Sequence, residues 1–371
     1  MIVSSERLLG PGGAFEPGWV RVDTDRGVIT EVGTGEAPDP VDAKGPYVVP
    51  GLVDIHCHGG AGASFATTDP DEARTALALH RRHGTTSVVA SLVTAAPDDL
   101  LRQVETLVPL AREGEIAGVH LEGPWLSPLH RGAHDPELLR PPTRDEIEAL
   151  LRAAEGHLRM VTIAPELPGA LEAITLLREA GVTVAVGHTD CDADGLREAV
   201  RAGAGVVTHL CNAMRPIHHR DPGPIPAALA EPELTVELIV DGVHVHPDVV
   251  TLLQRGARAR VALVTDAMAA AGCPDGAYQL GGLAVSVVDG VARLEDSDAL
   301  AGSTLTLDRA VRTAHAAGVP LVDAVVAATL TPARALGLDR GALVPGAPAD
   351  LLVLGEDLVP TSIWREGKLL T

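Results

Sequence analysis

The stretch Pro-Gly-Leu-Val-Asp-Ile-His-Cys-His-Gly at residues 50–59 decides the fold. An apolar run of this length bounded by glycines predicts a buried strand, and two histidines lie at its end. Because successive side chains of a strand point to opposite faces, His56 and His58 share one face and can bind one metal ion. Taken alone, the motif is also compatible with two histidines packed in a protein core.

Seven further apolar runs follow, each separated from the next by an amphipathic or loop segment. This alternation predicts a parallel sheet with crossover helices, and eight strands with a helix after the last one predict a closed (β/α)8 barrel. The predicted strands lie near 52–58, 86–93, 116–122, 160–165, 183–188, 206–211, 236–243 and 261–266.

Both ends of the chain differ from its middle in pattern. Short alternating stretches in residues 1–49 and 335–371 predict strands, which we expect to pair into one small β-sandwich domain. Residues 50–334 then form the TIM-like barrel, with a β-hairpin insertion near 278–295. The predicted fold class is α/β, a barrel with a small domain built from both termini.

Composition limits the partners of the protein. The formal net charge of −21 excludes a large basic face, so neither nucleic acid nor an anionic membrane is an expected partner. No apolar run approaches the roughly 20 residues of a membrane helix, and the N-terminus shows no basic segment followed by an apolar one. The four cysteines are scattered without a C-x-x-C pair. We therefore expect a cytoplasmic protein.

Four more polar residues follow predicted apolar strands, namely Glu122, His188, His209 and Asp266. Burying a carboxylate or an imidazole there without a partner is costly, so four such groups at similar depth indicate a shared ligand. The active sites of barrel enzymes lie at this carboxyl end of the strands. Imidazoles and carboxylates suit a divalent ion such as Zn or Fe.

Several motifs along the chain carry a resemblance to a known family. They are 50–59, His120-Leu121-Glu122-Gly123-Pro124-Trp125, Gly132-Ala133-His134, Gly187-His188-Thr189, Thr208-His209-Leu210-Cys211-Asn212-Ala213-Met214, Asp241-Gly242-Val243-His244-Val245 and Val264-Thr265-Asp266-Ala267-Met268. Over nearly its full length the chain resembles the amidohydrolase superfamily, and within it the N-acetylglucosamine-6-phosphate deacetylases.

The resemblance implies a ligand set for one or two divalent ions per subunit. Glu122, His188 and His209 would hold the main ion, and His56 and His58 would help to hold a second one. Many cyclic amidohydrolases bridge two metals with a carboxylated lysine. This chain has no lysine between residues 44 and 368, so that bridge is impossible and Glu122 would take its place.

The same resemblance implies the reaction and its catalytic residues. Metal-activated water would deacetylate N-acetyl-D-glucosamine 6-phosphate hydrolytically, giving glucosamine 6-phosphate and acetate. Asp266, also a candidate metal ligand, would serve as general base and then as general acid. His134 would bind the substrate by a hydrogen bond to the acetyl carbonyl.

Substrate binding is likewise implied by the resemblance. Arg220 and His244 would bind the phosphate, and Asn212 and Ala213 would line the same pocket. Phosphate-binding residues of this family can reach across a subunit boundary, so we expect a homodimer. The sequence assigns no role to His130, Arg131 and His246.

Three alternatives stay open at this point. The substrate could be another N-acetylhexosamine phosphate, such as the galactosamine epimer, handled by identical chemistry. The protein could be a different barrel hydrolase, acting on a cyclic amide or a peptide-like bond, although the missing lysine and the Arg220/His244 pair oppose this. It could also be a non-catalytic metal-binding barrel, although every predicted ligand is present.

Overall fold

The computed structural model describes residues 1–370, and eight parallel strands form its centre. The order of these strands in the sheet is the same as their order in the chain, and each strand pairs in parallel with the next one. They are β1 (Leu52–Cys57), β2 (Thr85–Val93), β3 (Gly118–Glu122), β4 (Leu158–Ile163), β5 (Thr183–Val186), β6 (Ala204–Val207), β7 (Thr235–Ile239) and β8 (Val261–Val264).

The barrel closes where the chain leaves β8. The backbone N–H of Asp266 donates to the carbonyl of His56 at 2.8 Å, and Cys57 forms a parallel bridge with Ala267. Closure therefore brings the end of β1 beside the end of β8, although about 200 residues separate them in the chain. The predicted TIM-like barrel is confirmed.

Helices cover the outside of the barrel, and local capping explains where several of them begin. Asp69, Thr143 and Asp192 each accept a hydrogen bond from a backbone N–H in the first turn that follows, which satisfies an otherwise unpaired donor. The α-helices are Pro70–Arg82, Pro97–Arg112, Arg144–Ala153, Ala170–Glu179, Ala193–Ala202, Pro224–Ala230, Pro247–Gly256, Leu307–Ala316, Leu321–Ala327 and Leu330–Ala335, and Pro128–His130 is a 3-10 turn.

Strands from both ends of the chain share one further eight-stranded sheet with its own apolar core. The C-terminal strand Leu351–Leu354 pairs antiparallel with Tyr47–Pro50, which leads directly into β1. This pairing of the two termini was expected from the sequence. The other strands of the sheet are Ile2–Leu9, Phe15–Asp23, Val28–Thr34, Ala43–Lys44, Pro360–Arg365 and Lys368–Leu369.

Two small antiparallel sheets lie near the ends of β1 and β8. Gly59–Gly60 pairs with Ala63–Ser64 directly after β1. Gly276–Leu280, Leu283–Val288 and Val291–Leu294 form a three-stranded sheet between β8 and the helix that begins at Leu307. Among residues 1–370, no helix is both long and apolar enough to cross a bilayer.

Several strands end earlier than the sequence predicted. β5 and β8 end two residues before His188 and Asp266, which were predicted to be their last residues, and β6 ends two residues before His209, which was predicted to lie near its end. His188, His209 and Asp266 instead have positive φ angles of 47°, 24° and 49°. This left-handed backbone conformation cannot continue a strand, so the chain turns there and the three side chains lie in the turns that follow.

Candidate metal centre

The carboxyl ends of the barrel strands surround a cavity of about 370 Å³. The structure brings most of the predicted site residues to this cavity, although they come from distant parts of the chain. Those that line it are His58, Glu122, His134, His188, His209, Asn212, Ala213, His244 and Asp266. His56 is completely buried beneath it and contacts the same cluster.

Glu122 lies at the centre of the cluster, because its two carboxylate oxygens face different histidines. Oε1 is 3.0 Å from Nε2 of His188 and 3.0 Å from Nε2 of His209, and those two nitrogens are 3.1 Å apart. Oε2 is 3.1 Å from Nε2 of His58. One carboxylate therefore joins two groups of potential ligands.

The second group contains both histidines of the H-x-H motif and the aspartate that follows β8. Nε2 of His56 is 3.1 Å from Nε2 of His58 and 3.4 Å from Oε1 of Glu122. Oδ1 of Asp266 is 3.2 Å from Nε2 of His58 and 3.6 Å from that of His56. All four side chains are buried and lie close enough to share one ion.

These separations fit metal coordination. Ligand atoms about 2.1 Å from a tetrahedral ion lie about 3.4 Å from one another, close to the spacings in both groups. Carbonyl and carboxylate oxygens can only accept hydrogen bonds, so three of the histidines must carry a proton on Nδ1. Their partners are the carbonyl of Ser91 for His58, the carbonyl of His130 for His188, and Glu237 for His56.

In each of these three histidines the proton on Nδ1 leaves the lone pair of Nε2 directed at the cluster. Lone pairs that face one another and a carboxylate repel unless a cation lies among them. Metal-binding histidines commonly have their other ring nitrogen held in this way. The donor set therefore fits a divalent ion, and its nitrogen and oxygen atoms are compatible with both Zn and Fe.

The charges of the cluster support one another. Burial raises the pKa of Glu122, but the neighbouring His56 and His188 outweigh this effect and hold the pKa well below its usual value. Burial lowers the pKa of His58, but hydrogen bonds with Asp266 and Glu122 raise it to about 9, so without an ion Nε2 also holds a proton, which a bound metal ion would displace. For Asp266, contact with His58 and His56 outweighs burial, so its pKa is lowered. Both carboxylates are therefore ionised at neutral pH.

His134 differs from His56, His58 and His188, because its Nδ1 accepts a hydrogen bond. The backbone N–H of Thr94 points at Nδ1 from 3.4 Å, and a backbone amide can only donate. The proton of the neutral ring is thus on Nε2, which faces the cavity 3.4 Å from Oε2 of Glu122. Burial lowers the pKa of His134 to about 4, so the ring is neutral near pH 7.

The predicted substrate-binding residues divide into two groups. Asn212, Ala213 and His244 line the cavity. Burial lowers the pKa of His244, but its 2.7 Å contact with Asp241 outweighs this, and the pKa is raised. Arg220 does not line the cavity of its own chain; it is exposed and contacts His219.

Some contributors to the site were not predicted from the sequence. Glu237 is a charged residue inside the apolar strand β7, a contrast that could have drawn attention to it. The backbone groups of Thr94, Ser91 and His130 that bond the histidines could not be predicted from the sequence, because backbone partners depend on the fold. His246, for which the sequence suggested no role, caps the helix Pro247–Gly256 by accepting from the N–H of Asp248.

Comparison with known proteins places the chain in a family. The model of the amidohydrolase family matches residues 47–370, and the chain belongs to this family of hydrolases. It is 36% identical to the N-acetylglucosamine-6-phosphate deacetylase of Vibrio furnissii, over 95% of this chain and 90% of that protein. It is also 37% identical to the N-acetylgalactosamine-6-phosphate deacetylase of Escherichia coli O157:H7, over 99% of this chain and 98% of that protein.

Solved structures give the same result at the level of the fold. A variant of the N-acetyl-D-glucosamine-6-phosphate deacetylase of Mycobacterium smegmatis, in complex with N-acetyl-D-glucosamine 6-phosphate, superimposes with a TM-score of 0.96 and 49% identity. The match covers 100% of this chain and 98% of that one. The barrel and the sheet formed by both termini are therefore shared over the whole length.

Proposed function

We propose that this protein hydrolyses the acetamide of N-acetyl-D-glucosamine 6-phosphate to glucosamine 6-phosphate and acetate. The observation that carries the proposal is the convergence on one cavity of two ligand groups joined by Glu122, with Asp266 and His134 beside them. The similarity to deacetylases over nearly the whole chain supports the same substrate class.

In this proposal Glu122, His188 and His209 hold one divalent ion, while His56, His58 and Asp266 hold a second one. The ion is Zn or Fe, both of which accept imidazole and carboxylate ligands. When bound, such an ion polarises a carbonyl group and lowers the pKa of water toward neutrality. The chain's own residues supply the proton transfers and the orientation of the substrate.

Asp266 is the proposed general base. Its pKa is lowered by contact with His58 and His56, so its carboxylate is ionised and able to take a proton at neutral pH. It would take the proton of the attacking water as the new C–O bond forms. It would then pass this proton to the sugar nitrogen as the C–N bond breaks, so that the product leaves as an amine.

His134 is the proposed hydrogen-bond donor to the acetyl oxygen. The backbone of Thr94 holds the ring with its proton on Nε2, the nitrogen that faces the cavity. A neutral donor fixed in this way stabilises negative charge as it develops on the carbonyl oxygen in the transition state. Its orientation is set before the substrate arrives, so little reorganisation is needed.

We propose that the phosphate is bound by His244 of one subunit and Arg220 of a partner subunit in a homodimer. A single chain leaves Arg220 exposed and away from the cavity, whereas a guanidinium suits phosphate oxygens. Two apolar side chains are also exposed: Ile217, close to Arg220 in the chain, to 54%, and Leu129, at the cavity, to 77%. Covering them at an interface would be favourable.

The galactosamine epimer is a second candidate substrate, favoured by the 37% identity to a deacetylase of that sugar phosphate.

We propose a cytoplasmic location as well. A sugar phosphate substrate and four free cysteines are consistent with a reducing compartment.

Acetate release from the two epimeric N-acetylhexosamine 6-phosphates, measured with the purified protein, tests the proposal. We expect a higher kcat/KM for the glucosamine compound, loss of activity with a chelator and its recovery on addition of Zn or Fe. A preference for the galactosamine compound would change the assigned substrate. Acetate release from neither compound at any metal content would favour a non-catalytic barrel.

A further inference from the structure

Glu237 lies in the middle of β7, and its side chain is completely buried inside the barrel. Within residues 1–370, its carboxylate makes only two hydrogen bonds. Oε2 accepts from Nδ1 of His56 at 3.0 Å and from the backbone N–H of His209 at 3.2 Å. A buried carboxylate without a lysine or arginine partner is costly, so these two contacts must offset its burial.

We propose that Glu237 is a positioning residue that enables the His56 half of the centre to hold its ion. The proposal rests on the metal centre of the proposed function but not on the identity of the substrate. It rests on the two contacts of Oε2 of Glu237, which accepts a hydrogen bond from His56 in one half of the centre and from His209 in the other.

The contact acts on the tautomer of His56 and on the orientation of its ring. Because the carboxylate of Glu237 can only accept, it keeps the proton of His56 on Nδ1 and the lone pair on Nε2. That lone pair faces Nε2 of His58 at 3.1 Å and Oε1 of Glu122 at 3.4 Å. In the other tautomer Nε2 would carry the proton and could not bind an ion.

The other histidines do not depend on a side chain in this way. His58 and His188 donate from Nδ1 to the backbone carbonyls of Ser91 and His130, which remain after any side-chain substitution. Among the four histidines proposed as ligands, Nδ1 has a partner in His56, His58 and His188, and only in His56 is that partner a side chain. Substitution at Glu237 therefore offers a selective way to alter one half of the centre.

The substitution Glu237→Gln tests this, because glutamine has nearly the same shape but lacks the negative charge that favours a proton on Nδ1 of His56 and makes its Nε2 a stronger donor to an ion. Zinc per chain is measured by elemental analysis, and zinc affinity by calorimetric titration of the metal-free protein. We expect two ions in the wild type. In Glu237→Gln one ion should remain tight while the other binds about 10- to 100-fold more weakly, and excess zinc should restore it.

A control and a double variant separate positioning from a general effect on the fold. Thr329→Val removes a completely buried hydroxyl that donates to the carbonyl of Val325 between two helices on the outside of the barrel, and should leave both zinc affinities unchanged. In a His56→Gln background, adding Glu237→Gln should cause no further loss of the weaker ion. Glu237→Asp, which keeps the charge but reaches less far, serves as a second variant.

Several results would overturn the proposal. These are unchanged affinity for both ions in Glu237→Gln, equal loss of both ions, and failure of both Glu237 variants to fold with zinc present. A wild-type protein with only one ion would overturn it as well, yet would leave the proposed function standing. A wild-type protein that binds no ion would remove both this proposal and the proposed function.

Discussion

Substitution of His134 by leucine, which cannot donate a hydrogen bond, provides a sharp test of the catalytic arrangement. Nε2 of His134 is 3.4 Å from Oε2 of Glu122, so the ring could be either a donor to the substrate or an additional metal ligand. The hydrogen bond from the N–H of Thr94 occupies Nδ1 and places the proton on Nε2. A protonated nitrogen cannot bind a metal ion, and the donor role is therefore expected.

The magnitude follows from this donor role. Loss of one preorganised donor to a developing oxyanion costs about 3 kcal/mol of barrier. Since each 1.36 kcal/mol corresponds to a factor of ten, kcat of His134→Leu, which has no donor, should fall about 150-fold. Because burial lowers the pKa of His134 to about 4, the wild-type ring is neutral at pH 7, and the loss would reflect a missing donor rather than a missing charge.

The assay is acetate release at saturating substrate, together with zinc content measured on the same samples. His134→Leu should lose activity while keeping the zinc content of the wild type. His246→Asn is a matched control at an exposed helix cap, where asparagine can still accept the capping hydrogen bond. If zinc were lost together with activity, His134 would be a ligand and the reasoning about its tautomer would be refuted.

Three further predictions concern the base, the phosphate and the small sheet. Asp266→Asn should lower kcat about 1,000-fold through loss of the proton acceptor, with at least the Glu122-bound ion retained in elemental analysis; near-normal turnover would remove Asp266 from this role. Arg220→Ala should raise KM about 10- to 100-fold with little change in kcat, while turnover of unphosphorylated N-acetylglucosamine should not change; an unaltered KM would contradict phosphate binding. Arg340 binds the buried Asp350 at 2.6 Å, so Arg340→Gln should lower the free energy of unfolding by about 3 kcal/mol in denaturant titrations. A loss below about 0.5 kcal/mol would show that the ion pair contributes little to stability.

Much of the fold, and many of the polar residues that meet at the barrel mouth, could be predicted from the sequence, because both leave local signals. A buried parallel strand requires a short apolar run, and a polar residue directly after such a run stands out against it. Glu122 and His188 are predicted in this way from the sequence alone. The exact ends of β5, β6 and β8 were predicted wrongly, because a positive φ at a histidine or aspartate has no reliable sequence signal.

The sequence by itself determined the barrel, the pairing of the two chain ends and the list of polar residues able to meet at the barrel mouth. Only the tertiary structure decided that Glu122 joins two groups of histidines, that Glu237 holds His56, and that Arg220 lies away from the cavity of its own chain. The reason is physical. Apolar patterns act over a few neighbouring residues, whereas hydrogen-bond partners and lone-pair directions depend on barrel closure, which joins residues about 200 positions apart.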